Sequence, residues 1–187
     1  ALLRRLGASH GMRLVAVRPI RRHGAPVSSS RIRRLIEQGR LAQAARLLGR
    51  PPALFGSVVH GVGRGRRLGF PTANLRLNSH VLPPRGVYAV MVTSARLPSW
   101  RSRGGQAGRA WAGAMNLGLR PTFGPGPLVC EVHLLGFSGT LIGRSVAVSL
   151  IARLRGERCF PSLEALRRQI QRDLIRTRRL LARRVTR

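Results

Sequence analysis

From Phe55 onward the chain runs in short stretches rich in Val, Leu and Ala, cut apart by Gly and Pro, and this rhythm limits the fold more than any other feature. The stretches are 57–60, 86–93, 110–117, 128–135 and 145–154. Runs of this length, bounded by turn residues, are the pattern of an all-β sandwich or barrel. Aromatic residues make up only 4% of the chain, so the core has to be built from Leu, Val, Ala and Ile. The segment 96–109, with its Ser, Arg, Gly and Gln, reads as a long exposed loop. After Pro161, Ser162 can cap a final helix in which Leu163, Leu166, Ile170, Leu174 and Leu181 line one stripe and arginines the other. That helix has to dock on the strands.

The first 50 residues read differently. Leu2, Leu3 and Leu6 suggest the end of a short helix, Leu14 to Val17 a short strand, and Gly24-Ala25-Pro26 a turn. This is too little to bury a core of its own. Ser28, Ser29 and Ser30 offer N-caps for a helix carrying Ile32, Leu35 and Ile36 at helical spacing. Gly39 breaks it, a second short helix carries Leu41, Ala44, Ala45, Leu47 and Leu48, and Gly49-Arg50-Pro51-Pro52 ends that one. The division is therefore 1–50 and 51–187.

Several function classes fall away. No apolar run approaches the roughly 18 residues of a membrane span, and residues 1–14 lack the apolar centre and cleavage site of a secretory signal. Two cysteines, Cys130 and Cys159, make neither a disulfide framework nor a metal site. A reducing cytoplasm is the expected compartment. The charge is extreme, with 35 basic residues against 5 acidic ones and a net charge of +30. Every basic residue is Arg and none is Lys, whereas a dedicated binder of phosphate backbones ordinarily uses both. Coding bias toward GC-rich codons and a nucleic-acid footprint both remain open as causes. On either one the field attracts polyanions, ATP among them.

Acids are so scarce that carboxylate chemistry has only Glu37, Glu131, Glu157, Glu164 and Asp173 to choose from. Strand alternation puts Leu128, Cys130, Val132 and Leu134 on one face and Val129, Glu131, His133 and Leu135 on the other. Glu131 is a carboxylate inside an apolar strand, which calls for a use or a partner. A structural ion pair with an arginine competes with a catalytic role. Upstream, residues 60–75 read HGVGRGRRLGFPTANL. Gly61, Gly63 and Gly65 let the backbone approach an anionic ligand, and Arg64 adds charge. After Gly69 and Phe70, Pro71 stiffens the chain ahead of Thr72, and Asn74 supplies an amide oxygen two residues on. A hydroxyl and an amide oxygen at that spacing can meet one hard cation such as Mg²⁺. Local turn hydrogen bonds are the competing use. His133 reads as a satisfied barrel histidine and Cys130 as a small core residue.

HGVGRGRRLGFPTANL resembles the nucleotide and Mg²⁺ loop of riboflavin kinases. The likeness continues in order through PPRGVYAV at 83–90, MNLGLRPTF at 115–123, EVHLLGFSGTLIG at 131–143 and LRGERCF at 154–160, and covers about 53–180. It implies a mainly β fold: a small closed antiparallel Greek-key-like barrel with a C-terminal α-helix, preceded by a short α-helical segment. It also implies phosphoryl transfer from ATP to riboflavin, giving ADP and FMN. By resemblance Gly61, Gly63, Arg64, Gly65, Gly69, Pro71, Thr72 and Asn74 bind nucleotide, Thr72 and Asn74 hold Mg²⁺, and Glu131 matches the family's catalytic glutamate. Asn116 and Arg155 are candidates for flavin binding or support; ordering a turn after its strand competes for Asn116, and a pair with Glu157 or a solvated position for Arg155. Residues 27–50 resemble the end of the adenylyltransferase module that precedes the kinase in bacterial bifunctional riboflavin kinase/FAD synthetases. The chain is thus expected to be a C-terminal portion that does not make FAD by itself. It departs from the family at Val62, Gly136, Ser138 and Thr140, where acids are common, and at Ile142, where an aromatic is usual. The alternative from the charge is a kinase-like barrel of reduced activity that binds RNA or a ribonucleoprotein.

Overall fold

The structure, a computed structural model, describes residues 2–15, 17–22, 24–94, 110–119 and 128–185. The expected loop at 96–109 lies outside the described residues, as do Ala16 and positions 120–123 of the MNLGLRPTF motif. The chain begins with helix α1 (Leu2–Ser9), a two-residue hairpin of β1 (Arg21–Arg22) and β2 (Ala25–Pro26), and helices α2 (Ser29–Glu37) and α3 (Leu41–Leu48). Six strands follow: β3 (Ala53–Val59), β4 (Ala73–Leu77), β5 (Gly86–Ser94), β6 (Trp111–Leu119), β7 (Leu128–Leu134) and β8 (Ser145–Arg155). A one-turn helix α4 (Arg64–Arg67) stands between β3 and β4, and the long helix α5 (Leu163–Val185) ends the chain.

The strands close into an antiparallel barrel in the order β3-β4-β7-β6-β5-β8. Closure removes every free sheet edge. Alternation decides what fills it: β7 buries Cys130, Val132 and Leu134, and β6 buries Met115 and Leu117. With Leu54, Val58, Leu75, Tyr88, Val90, Val148 and Leu150 they form one aliphatic core. Side chains of this size are what a narrow barrel interior can hold. Register shifts in β5 opposite β8, at Val87/Tyr88 and Ala89/Val90, supply local bending. Tyr88, the chain's single tyrosine, is fully buried, and its hydroxyl donates to the Pro84 carbonyl. Burial raises its pKa, against the lowering effect of Arg153.

The helices follow their caps. Ser28 accepts from the Arg31 N–H at the start of α2, and Ser162 accepts from the Ala165 N–H at the start of α5. Gly49 ends α3 in the left-handed conformation, at φ 71°. Leu41 of α3 is buried in the barrel's own core cluster, so the helical segment is packed against the barrel. Helix α5 docks on β5, β6 and β8. Val87, Ala89 and Leu154 form a second small cluster apart from the barrel core.

Three expectations need correction. Leu14, Val15 and Val17 form no strand and are exposed, because no neighbouring backbone pairs with them. Residues 73–77, read only as a ligand loop, are a sixth barrel strand. Leu163 stands 70% exposed at the start of α5, outside the buried stripe, whereas Leu181 is fully covered. Among the described residues no helix is long and apolar enough to cross a membrane.

Candidate active site

The site forms on the outer face of three adjacent strands. Register pairs Asn74 of β4 with Glu131 of β7, and Glu131 with Asn116 of β6. Since Leu75, Cys130, Val132, Met115 and Leu117 point inward, these three side chains share the outward face. Directly opposed side chains in such a row sit about 5 Å apart at Cβ. The carboxylate is thus flanked by two amides. No ion pair reaches Glu131 among the described residues, so the arginine partner that would make it merely structural is not seen.

Thr72 lies one residue ahead of β4 with the same parity as Asn74. Two glycines make room for this pair. A Cβ on Gly61 would fall 2.0 Å from Asn74 Nδ2. One on Gly65 would fall 2.9 Å from Thr72 Oγ1 and 2.4 Å from the Phe70 carbonyl oxygen. The glycine loop is therefore packed directly on the hydroxyl and amide that follow it. Its middle is not an open loop: Arg64–Arg67 wind into one helical turn, after Gly63 at φ 72°. Gly69 is also left-handed, at φ 86°. Pro71 has no N–H, and its carbonyl is bonded to His133 Nδ1 at 2.8 Å. Of Arg64 only the backbone is described.

A cavity of about 650 Å³ opens over this row. Gly65, Thr72, Asn116, Glu131 and His133 line one side. Val87, beside Asn116 on the sheet, and Phe160, Leu166, Ile170 and Leu174 give the rest an apolar character. Asn74 adjoins Glu131 without lining the cavity, and Gly61, Gly63, Gly69 and Pro71 do not line it either. The size suits a drug-sized organic ligand.

Arg155 also lines the cavity, and its ion-pair partner is Asp173, not Glu157. Its Nε donates to Asp173 Oδ2 at 2.9 Å, from β8 to α5, with both side chains nearly buried. Gln169 donates to the other Asp173 oxygen at 2.9 Å, and Arg155 lies 5.6 Å from the Phe160 ring centre. Glu157 instead accepts from the Leu119 N–H at 3.2 Å and stands 3.8 Å from Arg85. Sequence reasoning gave Asp173, Glu157 and Phe160 no place in the site. Only LRGERCF pointed at the last two, and nothing linear links Arg155 to a residue 18 positions on. Cys130 is buried under the row, where burial, and secondarily the neighbouring Glu131, pushes its thiol up to about 12. A thiol held neutral in this way is a packing group.

The donors present fit a hard divalent cation: a hydroxyl and an amide oxygen on one face, beside a carboxylate. Among the described residues no cluster of three His, Cys, Asp or Glu offers an all-protein cage. A cation here would draw its remaining ligands from phosphate and water.

Comparison with known proteins identifies the family. A family model described as "Flavokinase: Riboflavin kinase" matches residues 48–181. A Pseudomonas fluorescens protein, named bifunctional riboflavin kinase/FMN adenylyltransferase, is 38% identical over 181 residues, spanning 96% of this chain and 54% of the relative. The protein of that name from Escherichia coli K12 is 38% identical over 172 residues, or 92% and 51%. The chain thus spans about half the length of the curated relatives it matches. Among solved structures, riboflavin kinase from Trypanosoma brucei superposes with a TM-score of 0.50 at 28% identity, covering 70% of this chain and 76% of that one. A Streptococcus pneumoniae chain described as a macrolide-efflux protein superposes at 0.75 with 32% identity, covering 92% and 53%. Nothing in these matches supports the nucleic-acid reading of the arginine load. With the family model spanning most of a chain whose barrel carries this row of polar groups, the chain belongs to the riboflavin kinase family.

Proposed function

We propose that this chain transfers the γ-phosphate of ATP to the 5′-hydroxyl of riboflavin, with Glu131 as the general base. The observation that carries the reading is the carboxylate of Glu131, reached by no ion pair among the described residues and flanked by Asn74 and Asn116, where it lines a mainly apolar cavity. A carboxylate without an arginine partner keeps its lone pairs for a substrate proton. As the hydroxyl oxygen forms its bond to phosphorus, the O–H proton passes to Glu131 and the bond to the β-phosphate oxygen breaks.

Most of the work in such a transfer is positioning and charge placement. Thr72 and Asn74 would hold Mg²⁺, which when bound offsets charge on the phosphates. Gly61 packs on Asn74 and Gly65 on Thr72, so the backbone of this loop, Gly63 included, can bring the ATP phosphates beside these two side chains, and Arg64 adds positive charge. Asn116 fixes the opposite flank of Glu131. The apolar surface of Val87, Leu166, Ile170 and Leu174 suits the flat isoalloxazine ring. Arg155, neutralised by Asp173, shapes the end of that slot beside Phe160. Residues 51–187 make up the kinase unit in this reading, and 1–50 the end of a preceding module with its linker. The second activity in the relatives' name belongs to those proteins.

The test is chromatographic. Incubated with riboflavin, ATP and Mg²⁺, the purified chain is expected to accumulate FMN and ADP in equal amounts. Absence of FMN from folded protein would refute the proposal.

A further inference from the structure

The strand that carries Glu131 also reaches out to the loop ahead of β4, through a residue the reaction itself does not need. His133 lies two positions along β7 from Glu131 and on the same face. The ladder between β4 and β7 ends at Ala73↔Val132, so one step further on Thr72 would come opposite His133. The backbone pairing stops there and the histidine side chain takes over. Its Nδ1 lies 2.8 Å from the Pro71 carbonyl oxygen, and its ring meets Phe70 edge-on, with centroids 6.0 Å apart at 87°. A carbonyl only accepts, so Nδ1 carries the proton in this contact.

The tie matters because of what lies between Gly69 and β4. Pro71 has no N–H to donate, and besides its ring contact Phe70 has, among the described residues, its N–H to the Gly65 carbonyl at 2.8 Å. The Pro71 carbonyl is the last backbone group before Thr72. Fixing it from β7 sets the Thr72 hydroxyl relative to Glu131, since base and strut ride on one strand. Gly65 closes on Thr72 from the other side. We infer that His133 is a positioning residue that holds the Phe70-Pro71-Thr72 turn against β7 and so keeps the phosphate side of the site in register with Glu131. This rests on the function proposed above for its kinetic consequence, but not for its geometry.

Two substitutions separate the hydrogen bond from the ring. His133→Phe keeps a ring against Phe70 and removes the donor. His133→Asn removes the ring and leaves an amide N–H near the place of Nδ1. The hydrogen bond predicts that His133→Phe raises the KM for MgATP and lowers kcat by roughly ten- to a hundredfold in total, as for a misplaced group near reacting atoms. The KM for riboflavin should stay unchanged, and His133→Asn should recover most of the loss. Equal losses in both variants, or a change confined to riboflavin, would overturn the assignment. The geometry is judged without any variant folding or turning over, by the ring nitrogen spectrum of ¹⁵N-histidine-labelled wild-type chain at mildly alkaline pH. A proton on Nδ1 of His133 supports the strut. A proton on Nε2 with bare Nδ1 refutes it, whether or not the chain makes FMN.

Discussion

The two sides of the cavity are built by different means. The polar side is a sheet surface on which backbone register alone brings Asn74, Glu131 and Asn116 into one row. The apolar side is mostly a helix, α5, which reaches the barrel through long-range packing and through one nearly buried ion pair, Arg155–Asp173. A ladder fixes its side chains to within fractions of an ångström for as long as the strands pair. A docked helix depends on what holds it down. The chemistry sits on the first surface and the ring-shaped slot on the second, so reaction geometry and substrate affinity should fail separately.

The largest effect should come from the polar row. Glu131→Gln keeps the shape and removes the proton acceptor, with an expected loss in kcat of about 10²–10⁴. Fluorescence quenching of riboflavin on binding should remain within a few-fold of wild type. Comparable loss of binding and turnover would break the separation between the two sides.

On the apolar side the large effect is on stability. Asp173→Ala leaves the guanidinium of Arg155 buried without its partner and should destabilise the chain by about 3–5 kcal/mol in urea unfolding. A loss under about 1 kcal/mol, the range of an exposed pair, would mean that α5 is held by its leucines alone. Replacing both Arg155 and Asp173 with apolar residues should restore much of the loss, because the penalty is the stranded charge.

Two milder substitutions sharpen the contrast. Ile170→Ala removes apolar contact from the slot and should raise the KM for riboflavin by roughly tenfold, consistent with about 1–2 kcal/mol of lost burial, with the KM for MgATP unmoved. Gly65→Ala should do the reverse, since its Cβ would fall 2.4 Å from a backbone oxygen and 2.9 Å from Thr72 Oγ1. Steady-state kinetics with each substrate varied in turn reads both.

The smallest effect lies under the row. The Cys130 thiol is pushed up from 9.0 to about 12, so the folded state holds its proton where the unfolded chain lets it go. That contribution to stability is complete below about pH 9 and is lost as pH climbs toward about 12. A Cys130→Val variant should therefore lose less stability than wild type over that window. In the native protein a thiol reagent at neutral pH should label exposed Cys159 and spare Cys130.

These two sides were unequally legible in the sequence. Alternation along 128–135 placed Glu131 and His133 opposite Cys130, Val132 and Leu134, because a strand's period of two is local. Strand β4 escaped the same reasoning. It has five residues, follows Gly69 and Pro71, and starts with Ala and Asn, all weak strand formers. Its partners β3 and β7, distant in sequence, make it a strand. The stripe on α5 was visible from Leu166 to Leu181, but helical spacing gives no depth, so Leu163 was counted inside although it stands beyond the barrel. Asp173 was one of five carboxylates and had no partner assigned. Only the docking of α5 on β8 turns it into the partner of Arg155. The motif resemblance supplied Thr72, Asn74 and Glu131 as a set, and the ladder shows why Asn74 and Glu131 are neighbours.

The central claim is that the loop side and the flavin side converge on Glu131, and a crystal structure of the chain with MgADP and riboflavin tests it most directly. The account predicts the ribityl 5′ oxygen within about 2.6–3.2 Å of the Glu131 carboxylate, the terminal phosphate of ADP beside Thr72 and Asn74, and the ring against Leu166 and Ile170. A flavin bound elsewhere, or Glu131 turned away and paired with an arginine while nucleotide and flavin are both present, would contradict it.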